Sequence, residues 1–147
     1  MTVRAEHASR RRRLYVDTSA YLCILLAEDG WEELSNETDG ADLLSSVLLI
    51  LEARRNLIRL ARDGTLTPDL YKACVARVEH DTTMFILREL TLDLCQSHPL
   101  PAVATPRSLD LGHLRSALWF HSGTRIDRFV TLDSAQEQAA RELGLPV

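Results

Sequence analysis

A chain of 147 residues fits one domain and buries roughly two-thirds of its unfolded surface, so folding requires neither a disulfide nor a metal staple. With 46% hydrophobic and 26% charged residues it reads as globular, and a formal net charge of −4 argues against a generic nucleic-acid binder with an overall basic surface. No apolar run approaches the ~20 residues that cross a bilayer, and the basic N-terminus lacks a signal-peptide core; a cytoplasmic protein without membrane contact is expected. The odd set of Cys23, Cys74 and Cys95 shows no C-x-x-C pair, which argues against a cysteine-ligated zinc site.

Residues 1–13 read as a basic N-terminal tail ending in "SRRRR" (Ser9 to Arg13), and residues 14–147 as a single domain. The tail has two readings, phosphate attachment with salt-dependent binding or a segment without function. Lys72 is the only lysine, and the arginine bias reads as genome composition. "RLYVD" is a buried-strand candidate, short and apolar, and "TSAYLCILLAE" a helix that Gly30 would terminate. "WEELSNE" suggests a second short helix and "ADLLSS" a brief strand. Ser46 is placed to cap a long helix, "VLLILEARRNLIRLARDG", stopped by Gly64.

Thr67, Pro68 and Asp69 announce another helix, and its pattern extends through "TTMFILREL" to form a helical hairpin with its predecessor. "LTLDLC" then alternates like a strand, and "QSHPLPAVATPR" carries too many prolines for a regular helix. "SLDLGHLRSALWFHSG" is helical, with Ser108 as its cap and Gly123 as its stop. "RFVTLD" is a strand, "SAQEQAARELG" a helix, and "LPV" a possible last strand. Strands alternating with helices favour an α/β fold, a three-layer α/β/α sandwich around a mostly parallel sheet. In such sheets, ligand sites form outside the carboxyl ends of the strands.

Four carboxylates stand out against that expectation. Asp17 ends the first strand and Asp133 the last long one, so a parallel arrangement brings both to one edge. Asp110 lies in the first turn of its helix, and Glu52 interrupts the most apolar stretch of the chain. Each also has a structural reading: Asp17 and Asp133 as helix caps, Asp110 as a complement to the helix dipole, Glu52 as a partner for Arg55, Asn56 or Arg59. His113, three residues after Asp110, reads as a packing histidine. Taken together, converging carboxylates repel one another, and a divalent cation is the usual compensation. Oxygen ligands without cysteine or histidine select Mg²⁺ or Mn²⁺, which suits phosphate-ester chemistry.

The segments "YVDTSAYL", "LEARRNLIRL", "SLDLGHLRSA" and "FVTLDSAQEQAARELGLPV" resemble, in order and spacing, the four acidic motifs of the PIN-domain family, with the VapC-like toxins as the nearest subgroup. The resemblance covers residues 14–147. It implies that Asp17, Glu52, Asp110 and Asp133 are the catalytic, metal-binding acids of a Mg²⁺- or Mn²⁺-dependent endoribonuclease, with RNA as substrate and a 5′-phosphate among the products. It further implies a homodimer and a cognate antitoxin that silences the site. The hydroxyls of Thr18 or Ser19, and of Thr131, would hold water or position the neighbouring aspartate, or act only as local caps. The proline-bearing stretch Gln96 to Arg107 and the N-terminal leader depart from the family pattern.

Two other PIN readings stay open: an RNA-processing nuclease without an antitoxin, and a catalytically weak RNA-binding domain. A haloacid-dehalogenase-type phosphatase is excluded because D-x-D is missing after the first strand. A phosphoryl receiver is excluded because Lys72 lies in a helix rather than at the end of a late strand.

Overall fold

The computed structural model of the protein describes residues 10–104 and 107–147. Four strands and seven helices are arranged in the order β1 (Arg13–Val16), α1 (Thr18–Leu25), α2 (Trp31–Thr38), β2 (Asp42–Ser46), α3 (Leu48–Arg62), α4 (Pro68–Thr82), β3 (Ile86–Arg88), α5 (Leu92–Gln96), α6 (Ser108–Gly123), β4 (Arg128–Val130) and α7 (Ser134–Glu142). All strand pairs are parallel, and the sheet order is β3-β2-β1-β4.

Alternation along β1 decides the layers. Leu14 and Val16 point to a core shared with Ala20, Leu49, Leu57 and Val78 from α1, α3 and α4. Tyr15 points the other way, to Leu114, Ala117 and Phe120 of α6 and Ala139 and Ala140 of α7. A parallel sheet needs helices on both faces, and the two cores meet that need in a three-layer α/β/α sandwich. Among the described residues, no helix is long and apolar enough to cross a membrane.

Most of the expected elements are present, and the differences are local. The helix α4 stops at Thr82, and Ile86–Arg88 pairs with β2 as the edge strand instead of prolonging the hairpin. "LTLDLC" is the short helix α5, because the Thr91 hydroxyl caps Leu94 N–H. Helix α1 ends at Leu25, before Gly30, which enters α2 with φ 87°. Val47 occupies the cap position of α3, although the Ser46 hydroxyl still accepts from Leu48 N–H, and Arg107 takes the cap position of α6. "LPV" forms no strand, and Pro146 contributes one carbonyl to Phe129 N–H. Part of the expected N-terminal tail, residues 1–9, and Thr105 and Pro106 of the proline stretch lie outside the described residues.

The arginine run is absorbed by the fold at the starting end of the strands. Arg10 pairs with Asp127 at 2.7 Å, Arg11 with Asp42 at 3.8 Å and Arg12 with Glu37 at 3.5 Å. Asp127 also accepts from the backbone N–H of Arg13 at 2.7 Å, which ties the entry of β1 to that of β4. This bond, with the charges of Arg10 and Arg12, holds the Asp127 carboxyl below its ordinary value of 3.8. A lowered folded pKa stabilises the protein above the ordinary value, and that stability is lost as pH falls through the folded value. Asp127→Asn is therefore expected to lower stability by about 1 kcal/mol at neutral pH and to flatten the acid limb below pH ~4, measured by denaturant titration across pH.

Candidate functional site

Strand order creates the site. The chain moves from β1 outward to β2 and β3, then returns to the other side of β1 with β4. The crevice between the carboxyl ends of β1 and β4 is thus the switch point of the sheet. Asp17 follows β1 directly, its N–H bonded to Val130 O at 3.1 Å, and Asp133 follows β4 by two residues. Glu52 arrives from the first half of α3 and Asp110 from the first turn of α6. All four acids line one cavity of about 350 Å³, along with Thr18, Ser19, His113, Arg55, Asn56 and Arg107.

Close approach of α6 to α3 makes the meeting possible. Gly112 packs against Leu48, whose Cδ1 lies 2.4 Å from where a Cβ on residue 112 would stand. That missing side chain lets the α6 side chains Asp110 and His113 reach the cavity opposite Glu52.

Asp17 is 5% exposed. One oxygen, Oδ1, accepts from Ser19 Oγ at 2.7 Å and from Ala20 N–H at 3.1 Å; the other accepts from the Thr131 hydroxyl. Burial raises the Asp17 pKa, and these hydrogen bonds oppose the rise without cancelling it. Of the hydroxyls suggested by the sequence, those of Ser19 and Thr131 orient Asp17, and that of Thr18 turns to Glu52. Asp133 is held similarly: its Oδ1 accepts from Ala135 and Gln136 N–H at 2.9 and 3.1 Å, capping α7. The structural reading of both aspartates as caps is realised, and so is their convergence.

Glu52 belongs to a buried chain of polar groups that the sequence reading missed. Tyr15 OH lies 2.9 Å from His113 Nδ1, and His113 Nε2 lies 2.7 Å from Glu52 Oε1, which also accepts from Thr18 Oγ1 at 2.9 Å. Burial raises the Tyr15 pKa well above its ordinary value, so the phenol keeps its proton beside Nδ1. The Glu52 carboxylate can only accept, so Nε2 carries a proton and donates to it. Burial works to raise the Glu52 pKa, but the hydrogen bond and charge of His113, with help from Thr18 and Arg107, bring it below the ordinary carboxylate value. His113 is thus buried as expected of a packing histidine, and it also positions a carboxylate.

Arg107 completes the lining. Its Nε lies 3.1 Å from Asp110 Oδ2 and its Nη2 3.3 Å from Asp133 Oδ2. Four carboxylates against Arg55 and Arg107 leave the lining with a formal excess of two negative charges. Among the described residues, no three acidic, histidine or cysteine side chains approach closely enough to hold an ion as they stand. The donor chemistry nevertheless fits a hard divalent cation: the available ligands are carboxylate and hydroxyl oxygens, His113 is engaged on both nitrogens, and a guanidinium already bridges two of the acids. Comparison of the chain with protein-family models and with curated protein sequences finds no match to either.

Replacing Tyr15 by Phe removes the hydrogen-bond partner of His113 Nδ1 and leaves that nitrogen buried and unpaired. The expected cost is about 1–3 kcal/mol, measured by chemical denaturation. The loss is expected to be smaller in a Glu52→Gln background, where the amide no longer demands a donor of fixed tautomer; a double-mutant cycle reads the coupling.

Proposed function

We propose that the chain is a Mg²⁺- or Mn²⁺-dependent endoribonuclease of the PIN type, acting in the cytoplasm as the toxin of a toxin–antitoxin pair. The observation that carries this reading is the meeting of Asp17, Glu52, Asp110 and Asp133 around one cavity at the switch point of an all-parallel sheet. These are the same four residues that the PIN-like motifs single out in the sequence. Motif and geometry thus reach one set of side chains by separate routes.

Asp17, Glu52, Asp110 and Asp133 would hold the metal, which supplies, when bound, charge neutralisation at a phosphate and activation of water. The chain's own part is positioning. Ser19, Thr131 and the Ala20 N–H keep the Asp17 carboxylate in one orientation, and His113 and Thr18 do the same for Glu52. Arg55 and Asn56 stand beside the acids on α3 and offer donors to the phosphates of an RNA strand entering the cavity. His113, committed to Tyr15 and Glu52, is not a free general base, so the reaction rests on electrostatics and alignment.

Exposed apolar side chains support the protein partners. Leu51 and Ile58 stand seven residues apart on α3, 67% and 55% exposed, a stripe suited to a second copy of the chain. Leu109, 45% exposed at the cavity, offers an apolar anchor for an antitoxin segment seated over the acids.

The test is cleavage of RNA by the purified chain with Mg²⁺ or Mn²⁺ against EDTA. Activity is expected only with metal, and Asp17→Asn or Asp110→Asn should lower it at least about a hundredfold. Both variants should stay folded. In Asp17→Asn the amide oxygen still caps α1, and removal of a buried charge offsets the acceptor lost to Thr131, so its melting temperature should stay close to that of the parent. Metal-independent cutting, or full activity in both variants, would remove the nuclease reading.

A further inference from the structure

The arrangement of Arg107 explains why the acids share a cavity without forming a ready ion cage. The residue sits at the cap position of α6 without capping it through its side chain, with φ −68° and ψ 157°. Its guanidinium instead reaches across to Asp110 Oδ2 and Asp133 Oδ2, at 3.1 and 3.3 Å. Those oxygens belong to the acids of α6 and of the β4–α7 junction. In Asp133, Oδ1 is already spent on two backbone N–H groups, so Oδ2 is the oxygen left to face the cavity. A cation that joins Asp110 to Asp133 therefore meets Arg107 at Asp133 Oδ2, the one oxygen of that acid left for it.

We propose that Arg107 is a tethered counter-ion of this site, displaced from Asp110 and Asp133 when a divalent cation binds. The inference rests on the metal-site reading given above and adds a competition internal to the chain. Two features make the exchange feasible. The Arg107 side chain is 75% exposed, so its pairs are screened by water and give way at little cost. Asp110 and Asp133 are more enclosed, at 20% and 31%, and keep their positions when the arginine leaves. While metal is absent, the guanidinium relieves the mutual repulsion of the acids and lets the site fold uncharged by any ligand. A compact double charge then outcompetes a spread single one.

The experiment is calorimetric titration of Mn²⁺, without RNA, into the full chain and into Arg107→Gln and Asp110→Asn. Arg107→Gln is expected to bind Mn²⁺ about three- to tenfold more tightly than the parent, the range that loss of two exposed ion pairs allows. In melting experiments its metal-free form should unfold at lower temperature and gain more from Mn²⁺ than the parent does. Asp110→Asn should bind weakly or not at all. Equal or weaker Mn²⁺ binding by Arg107→Gln, with the parent binding normally, overturns the counter-ion role and leaves the metal centre standing. No Mn²⁺ binding by any of the three chains overturns both.

Discussion

Everything at the switch point depends on keeping one carboxylate, Asp17, in a place from which water is nearly excluded. The constraint originates in β1, flanked by β2 and β4 and covered on both faces, so that the residue leaving it has few exits to solvent. A desolvated carboxylate survives there because three donors reach it. The same hydroxyls extend outward. Ser19 Oγ also accepts from Leu132 N–H at 2.9 Å, and Thr131 Oγ1 accepts from Asp133 N–H at 3.1 Å. Asp17 is therefore coupled to the backbone that presents Asp133, and the first and fourth acids are positioned by one network across the β1–β4 crevice.

Capping and ligation compete only if they need the same atom, and here they do not. In Asp133 the Oδ1 atom closes the N-terminus of α7 while Oδ2 turns to the cavity. A strand followed by a capping aspartate and a helix is a cheap way to aim a carboxylate: the cap restricts its rotamer, and the strand sets its depth. The interpretation of Asp17 and Asp133 as caps was correct as far as it went, whereas the Glu52 carboxylate pairs with His113 and Thr18 and not with Arg55, Asn56 or Arg59 of its own helix. The caps describe one oxygen of each aspartate.

How far the sequence was legible follows from the range of the interactions involved. The strand–Asp–helix junctions could be read because apolar run, carboxylate and cap are contiguous. Strand β3 could not: Phe85 to Arg88 continues the apolar pattern of α4, and a three-residue, half-exposed edge strand has no periodicity of its own. "LTLDLC" failed for the opposite reason. Its alternating leucines suit a strand, yet only Leu94 is buried, and the Thr91 hydroxyl settles the backbone as a helical turn. The role of His113 depends on Tyr15 and Glu52, 98 and 61 residues away, and no local pattern announces partners at that distance. Arg107 was hidden in the proline stretch, its partner Asp133 lying 26 residues further on.

Charge is distributed unevenly between the two ends of the strands. The most conspicuous basic feature, Arg10 to Arg13, is consumed at the starting ends of the strands by Asp42, Glu37 and Asp127, where it organises β1 and β4. It lies at the far end of β1 from Asp17, so it adds little field at the cavity beyond a screening length of about 8 Å. The arginines that matter there are Arg55 and Arg107, one on each side of the acids. A site with four carboxylates and two guanidiniums is repulsive to phosphate until positive charge enters it. Under the proposed function, phosphate would be held at this edge only with a cation in place, because the lining carries an excess of carboxylates.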